Sequence, residues 1–222
     1  MFDRLISLIG EDNLIKIKNA NIALVGVGGV GGFVLEALIR SGINKITIYD
    51  NDIISLSNLN RQIISNINNI GQEKVNVAKK RMKKINPDIK IKICNIKITN
   101  NNVNDLNDFD YIIDATDDVV AKVAMIKYAK ENNIKIISAL GTGKRLDPTS
   151  IELTMLDKTF NDPLAKKMRN LLGKENIKLN IPVVYASNKP LNNNVVISSS
   201  VFPPAVAGIY MAYYVINDII KE

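Results

Sequence analysis

Asn21-Ile22-Ala23-Leu24-Val25-Gly26-Val27-Gly28-Gly29-Val30-Gly31 runs from an apolar segment of strand length into a glycine-rich turn. The apolar pattern resumes at helical spacing over Gly31–Ser41, and Gly42 follows where a left-handed helix cap is tolerated. Glycine lets the chain turn tightly and lets its backbone approach a phosphate closely. The helix start then offers free N–H groups and positive dipole to the anion. A second strand, Lys45–Asp50, ends on an acid 19 residues after Gly31, the place for a carboxylate that accepts hydrogen bonds from ribose hydroxyls. Gly26, Gly28, Gly29, Gly31 and Asp50 are therefore the first candidate nucleotide-binding residues. By itself the motif does not separate NAD, FAD, ATP and S-adenosylmethionine.

The alternation continues outward. Gln72–Asn86 is predicted as a helix stopped by Pro87, with Val75, Ala78, Met82 and Ile85 on one face. Ile89–Asn95, Tyr111–Asp114 and Lys135–Leu140 read as strands, and Val119–Glu131 as a helix. This predicts an α/β, Rossmann-like nucleotide-binding fold with a mostly parallel sheet. The rhythm changes after Gly141. Strands are expected at Ile151–Met155 and Ile181–Ser187, a helix at Pro163–Leu172 capped by Asp162, and a last helix at Pro204–Ile220. We expect one adenylating domain over residues 1–222, with a nucleotide core at about 20–140 and a C-terminal extension of mixed strands and helix at about 141–222. Asn-rich Asn100–Asn104 and Asn192–Asn194 read as loops.

Composition narrows the chemistry. The chain has no histidine and one cysteine, Cys94, so histidine general bases, histidine–metal sites, zinc–thiolate sites and internal disulfides are excluded. No stretch approaches a membrane span, and the N-terminus lacks the order of a signal peptide, so a cytoplasmic protein is expected. A net charge of +7 favours an anionic partner, although a lysine-rich solvated surface explains it equally. Cys94 lies in an alternating strand pattern and reads as a small, buried apolar residue rather than a nucleophile.

The stretch Asp50–Lys74 carries D-N-D-I-I-S-L-S-N-L-N-R-Q and then G-Q-E-K. Here the sequence resembles the superfamily that includes ubiquitin-activating enzymes and the ThiF/MoeB adenylyltransferases. The resemblance implies that Asp50 holds the ribose, with Asp52 counted beside it at the nucleotide. It further implies that Ser57, Asn58 and Arg61 contact the triphosphate, and that Lys74 reaches the phosphates. Asp114-Ala115-Thr116-Asp117-Asp118 matches the family's D-x-T-D-N, so Asp117 would coordinate magnesium, and Asp118 stands where asparagine is usual. Arg4, between Phe2-Asp3 and the later L-I-G-E-D, matches an N-terminal arginine that reaches the partner subunit's site in a homodimer. Arg61, Lys74, Asp117 and Arg4 are the catalytic candidates, and ATP with magnesium is the implied cofactor set. Arginine, lysine and magnesium stabilise charge on phosphate oxygens without proton transfer, which suits a chain without histidine.

Gly141-Thr142-Gly143-Lys144-Arg145-Leu146-Asp147-Pro148-Thr149 and Lys158-Thr159-Phe160-Asn161-Asp162-Pro163-Leu164-Ala165 resemble the tRNA threonylcarbamoyladenosine dehydratase group. That likeness implies a tRNA substrate, modified on the adenosine beside the anticodon, whose carboxylate is activated as an acyl-adenylate. A nucleophile held within the same modified base then replaces an enzyme nucleophile. Lys79, Lys80, Arg81, Lys83 and Lys84 on one helix, and Lys166, Lys167, Arg169 and Lys174 on another, are the candidate tRNA contacts, the second set being favoured. The alternative is an adenylyltransferase for a ubiquitin-like sulfur-carrier protein, with a carrier or sulfur-transfer partner. An inactive partner subunit leaves the joint presence of Arg4, Arg61, Lys74 and Asp117 without a reason. A small NAD-dependent oxidoreductase leaves S-N-L-N-R-Q without one.

Overall fold

The computed structural model describes residues 1–192 and 198–221. Two short helices, α1 (Asp3–Ile9) and α2 (Glu11–Asn19), precede the strand β1 (Asn21–Val25). Then come α3 (Gly31–Arg40), β2 (Lys45–Tyr49), α4 (Lys74–Ile85), β3 (Lys90–Cys94), β4 (Tyr111–Asp114), α5 (Val119–Glu131) and β5 (Lys135–Ala139). The chain continues through β6 (Ile151–Met155), α6 (Pro163–Lys174), β7 (Pro182–Ala186) and α7 (Phe202–Lys221). The strands form one seven-stranded sheet in the order β3-β2-β1-β4-β5-β7-β6. All pairings are parallel except β6 with β7, so the mostly parallel α/β architecture expected from the alternation is present.

Alternation along each strand sorts side chains into two cores. Ile22 and Leu24 of β1, Ile113 of β4 and Val184 of β7 face a cluster with α3, α4 and α7. Ala23 and Val25, Ile112, Val183 and Tyr185 face the other, with α5 and α6. Both sides of the sheet are covered, which is why β1 is apolar at almost every position rather than alternately polar. No helix among the described residues is long and apolar enough to cross a membrane.

Boundaries move by a residue or two from the sequence reading. The fourth helix starts at Lys74, not Gln72, because Glu73 forms a bridge with Ile53 and the Lys74 amide donates to Asp52 O. The Asn100–Asn104 segment is a turn that passes into a short 3-10 helix at Val103–Leu106. Of the expected Asn192–Asn194 loop, Asn193 and Asn194 lie outside the described residues.

The sheet order reverses at β1, whose two neighbours are β2 and β4. In open parallel sheets such a switch point leaves a crevice at the carboxyl ends of the strands, where ligands bind. The loops after β1, β2, β4 and β5 all emerge there.

Candidate active site

The turn after β1 is built by contacts only glycine allows. Gly26 has φ +91°, and a Cβ on it would meet the Ala115 carbonyl oxygen at 2.8 Å. A Cβ on Gly31 would lie 2.8 Å from the Gly26 carbonyl carbon and closer still to its oxygen. The loop therefore folds back on itself at the start of α3, and against the turn after β4. Asp50 pins it: Oδ2 accepts from the Val27 amide at 2.8 Å, and Oδ1 accepts from the Asp52 amide at 2.9 Å. The acid expected at a ribose thus also fixes the loop beside it.

A cleft of about 930 Å³ opens over these strand ends. It brings together Gly26, Gly28, Gly29, Asp50, Asp52, Asn58, Arg61, Lys74, Asp117 and Asp118. Gly31 sits behind it as the first residue of α3. Ser57 is exposed at its side and contributes its carbonyl, which accepts from Arg61 Nη1 at 2.7 Å. Arg4 is exposed on α1 and is not among the residues lining the cleft.

Two cations line the cleft, one of them against the glycine turn. Arg61 packs its side-chain carbons against Gly29, with Cγ 3.5 Å from a Cβ built there. Lys74, 5% exposed, reaches Asp52 Oδ2 at 2.6 Å while Asp52 remains largely in solvent. Across the cleft Asp117 is exposed, just beyond the β4 terminus. Asp118, in place of the usual asparagine, caps α5 by accepting from the Val120 and Ala121 amides at 2.9 and 3.3 Å. It also pairs with Lys97 at 2.7 Å, and that lysine holds its carboxyl below the usual carboxylate range.

Beneath the Thr116–Asp117 turn lies a buried ion pair that sequence reasoning passed over. Lys122 and Asp114 are both fully buried, with Nζ 2.9 Å from Asp114 Oδ2. Nζ also donates to Ala139 O at 2.6 Å and Ser138 Oγ at 3.4 Å, tying the end of β4 to the end of β5. Ser138 Oγ hydrogen-bonds Asp114 Oδ2, and Asp114 Oδ1 accepts from the Thr116 amide and hydroxyl. The signal was present as one lysine inside the apolar run Val119–Ile126.

The far half of the cleft is lined by Gly141, Thr142, Gly143, Lys144, Arg145, Asp162, Pro163 and Leu164. Asp162 is buried and fastens these pieces together. Its Oδ2 accepts from the Gly141 amide at 2.8 Å, and its Oδ1 accepts from the Leu164 and Ala165 amides at the start of α6. Gln62, 5% exposed, also lines the cleft, with Nε2 3.7 Å from a Cβ built on Gly28.

The basic clusters separate in space. Lys166 and Lys167 are exposed on α6, whose first residues line the cleft. Arg169, expected among the tRNA contacts, is instead half-buried, and Nη1 donates to Leu156 O, Thr159 O and Thr159 Oγ1. On α4, Arg81 binds Glu36 at 2.8 Å and Lys83 Nζ donates to Pro87 O at 2.7 Å, leaving Lys80 and Lys84 exposed toward the far end of that helix. Burial pushes the Cys94 thiol above its ordinary pKa, which suits a packing role and not a nucleophile.

A family model described as the ThiF family matches residues 2–209. The tRNA threonylcarbamoyladenosine dehydratase of Bacillus subtilis is 34% identical over 96% of this chain and 92% of its own length. That of Haemophilus influenzae is 42% identical over 76% of this chain and 65% of its length. The crystal structure of the Escherichia coli enzyme in complex with ATP superposes with a TM-score of 0.94 at 32% identity, covering 99% of this chain and 93% of that one. A probable molybdopterin-synthase adenylyltransferase of Porphyra purpurea is similar over less: 39% identity across 61% of this chain and 35% of that protein.

Proposed function

This chain belongs to the ThiF family, and from that premise we propose that it is an ATP-dependent tRNA threonylcarbamoyladenosine dehydratase. One observation carries the reading. The glycine turn, Arg61, Lys74 and Asp117 share a cleft with the segments 141–145 and 162–164, which resemble the dehydratase group and lie outside the common nucleotide core. The nucleotide and substrate halves are thus one space.

In this reading the triphosphate lies along the glycine turn at the start of α3, and Asp50 with Asp52 faces the ribose. Arg61, with Ser57 and Asn58 beside it, and Lys74 neutralise the phosphates. Lys74 then exchanges its contact with Asp52 for one with a phosphate oxygen. Magnesium binds through one or two carboxylates together with phosphate oxygens. A single exposed Asp117 in the cleft fits that pattern, and among the described residues no group of three or more acidic or cysteine side chains forms a cage of its own. The ion, held by Asp117, would supply charge neutralisation on the phosphates.

The substrate carboxylate attacks the α-phosphorus, forming a C–O–P bond as the bond to pyrophosphate breaks. An atom of the ureido group on the same modified adenosine then attacks the acyl carbon. AMP departs with the carboxylate oxygen, a proton is lost, and the ring closes, so the base has lost one water overall. No enzyme nucleophile is needed because the attacking group is already tethered. Arg4 acts from a second copy in a homodimer. Lys166 and Lys167, beside the cleft mouth, bind tRNA phosphate.

The test is incubation with ATP, magnesium and threonylcarbamoyl-modified tRNA, followed by mass spectrometry of the base. Loss of one water, with AMP formed, is the expected result. Arg61→Ala should lower AMP formation by about a hundredfold or more while the fold is kept. Nucleotide exchange that needs a carrier protein and ignores tRNA would instead select the sulfur-carrier adenylyltransferase.

A further inference from the structure

Arg145 has no task in the chemistry above. It is 5% exposed and lines the same cleft as Gly28, Arg61 and Asp117. Three main-chain carbonyls hold its guanidinium: Nη1 donates to Gly143 O at 2.9 Å, Nη2 to Asn161 O at 3.2 Å, and Nε to Asn188 O at 3.2 Å. None of the ion pairs among the described residues includes it. Burial lowers its pKa, and the field of Asp162 only partly offsets this. Asp162 itself is engaged by three backbone amides. A buried cation without a bonded counterion is unfavourable, a cost that an arriving anion relieves.

The geometry of the fork is suited to that arrival. A guanidinium has five N–H groups. Three are used by the carbonyls, which leaves one on each Nη nitrogen. The three carbonyls also fix the guanidinium plane, so little side-chain freedom remains to be lost on binding. Asn188, whose main-chain carbonyl accepts from Nε, also has a buried Oδ1 with no hydrogen-bond partner among the described residues. The two free N–H groups of a cation lining the cleft are complementary to a carboxylate. The threonylcarbamoyl group carries one. The phosphates of ATP belong elsewhere, because Arg145 follows β5 whereas the glycine turn and Lys74 sit over β1 and β2.

We propose that Arg145 is the residue that docks the carboxylate of the threonylcarbamoyl group before adenylation. This rests on the dehydratase reading, and the experiment separates the two. Wild-type enzyme is first shown to remove water from modified tRNA. Binding of an anticodon stem-loop carrying the modified base, as free acid and as methyl ester, is then measured without ATP. Wild type should favour the acid by about tenfold to a hundredfold, the range for a hydrogen-bonded charge. Arg145→Gln should bind acid and ester alike, and Arg145→Lys should keep several-fold of the preference. Equal binding of acid and ester by wild type would overturn the proposal without any variant, should Arg145→Gln fail to fold. So would an acid preference that survives in Arg145→Gln, or a loss of ATP affinity in its place. A wild-type enzyme that dehydrates nothing sinks the dehydratase reading itself.

Discussion

Replacing Lys122 by methionine removes one half of the buried pair while nearly preserving its volume. In the native protein Nζ has three partners, Asp114 Oδ2, Ala139 O and Ser138 Oγ, and both charged side chains are fully buried. The variant leaves the Asp114 carboxylate with the Thr116 amide and hydroxyl and the Ser138 hydroxyl, but no cation. Deleting one partner of such a pair costs about 3–5 kcal/mol. A domain of this size shifts its melting temperature by roughly 2–4 °C per kcal/mol, so a fall of about 6–20 °C is expected by calorimetry. Asp114→Asn in the same chain should restore more than half of the loss, because the uncompensated charge is then gone. Lys122→Arg should retain most of it. A Lys122→Met protein melting within about 2 °C of wild type would refute the reasoning, as would a double variant less stable than the single one.

Two other outcomes follow from the site. Gly31→Ala forces a methyl into the Gly26 carbonyl, so the turn must move away from its native shape; on the proposed reading nucleotide affinity by titration should fall about a hundredfold, and an unchanged affinity would count against phosphate binding at this turn. Lys166→Gln with Lys167→Gln should flatten the dependence of tRNA affinity on salt by about 1.4 in log–log slope, two single-strand phosphate contacts, whereas the same change at Lys83 and Lys84 should leave it unaltered.

The half of the cleft built on the glycine turn was legible in the sequence because its signals are local. Gly26–Gly31 follows its strand directly, and Asp50 ends the next one, so order along the chain is order in space. The far half was not legible, because it depends on contacts between distant segments. Arg145 is held by Asn161 and Asn188, and Asp162 holds Gly141. Nothing in the spacing of those residues indicates that they meet. Arg169 was read as a surface charge for the same reason, since its partners at Leu156 and Thr159 come from the segment before its own helix. The insertion of β7 between β5 and β6 is likewise a property of the sheet, not of either strand's pattern. The first two helices, α1 and α2, passed unread: α1 buries none of its residues and α2 only Leu14 and Ile17, too little for a clear apolar stripe.

Gly208 of α7 lies so close to α3 that a Cβ there would meet the Val30 carbonyl at 2.6 Å, and Pro204 of the same helix lies 3.5 Å from a Cβ built on Gly29. The glycine turn is thus buttressed by a helix some 180 residues downstream. During translation the first strands and α3 leave the ribosome long before that buttress exists, with the apolar flank of α3 open to chaperones and to water. A chain that stopped before residue 202 would keep every glycine of the turn and lose the helix against which Gly29 and Val30 pack.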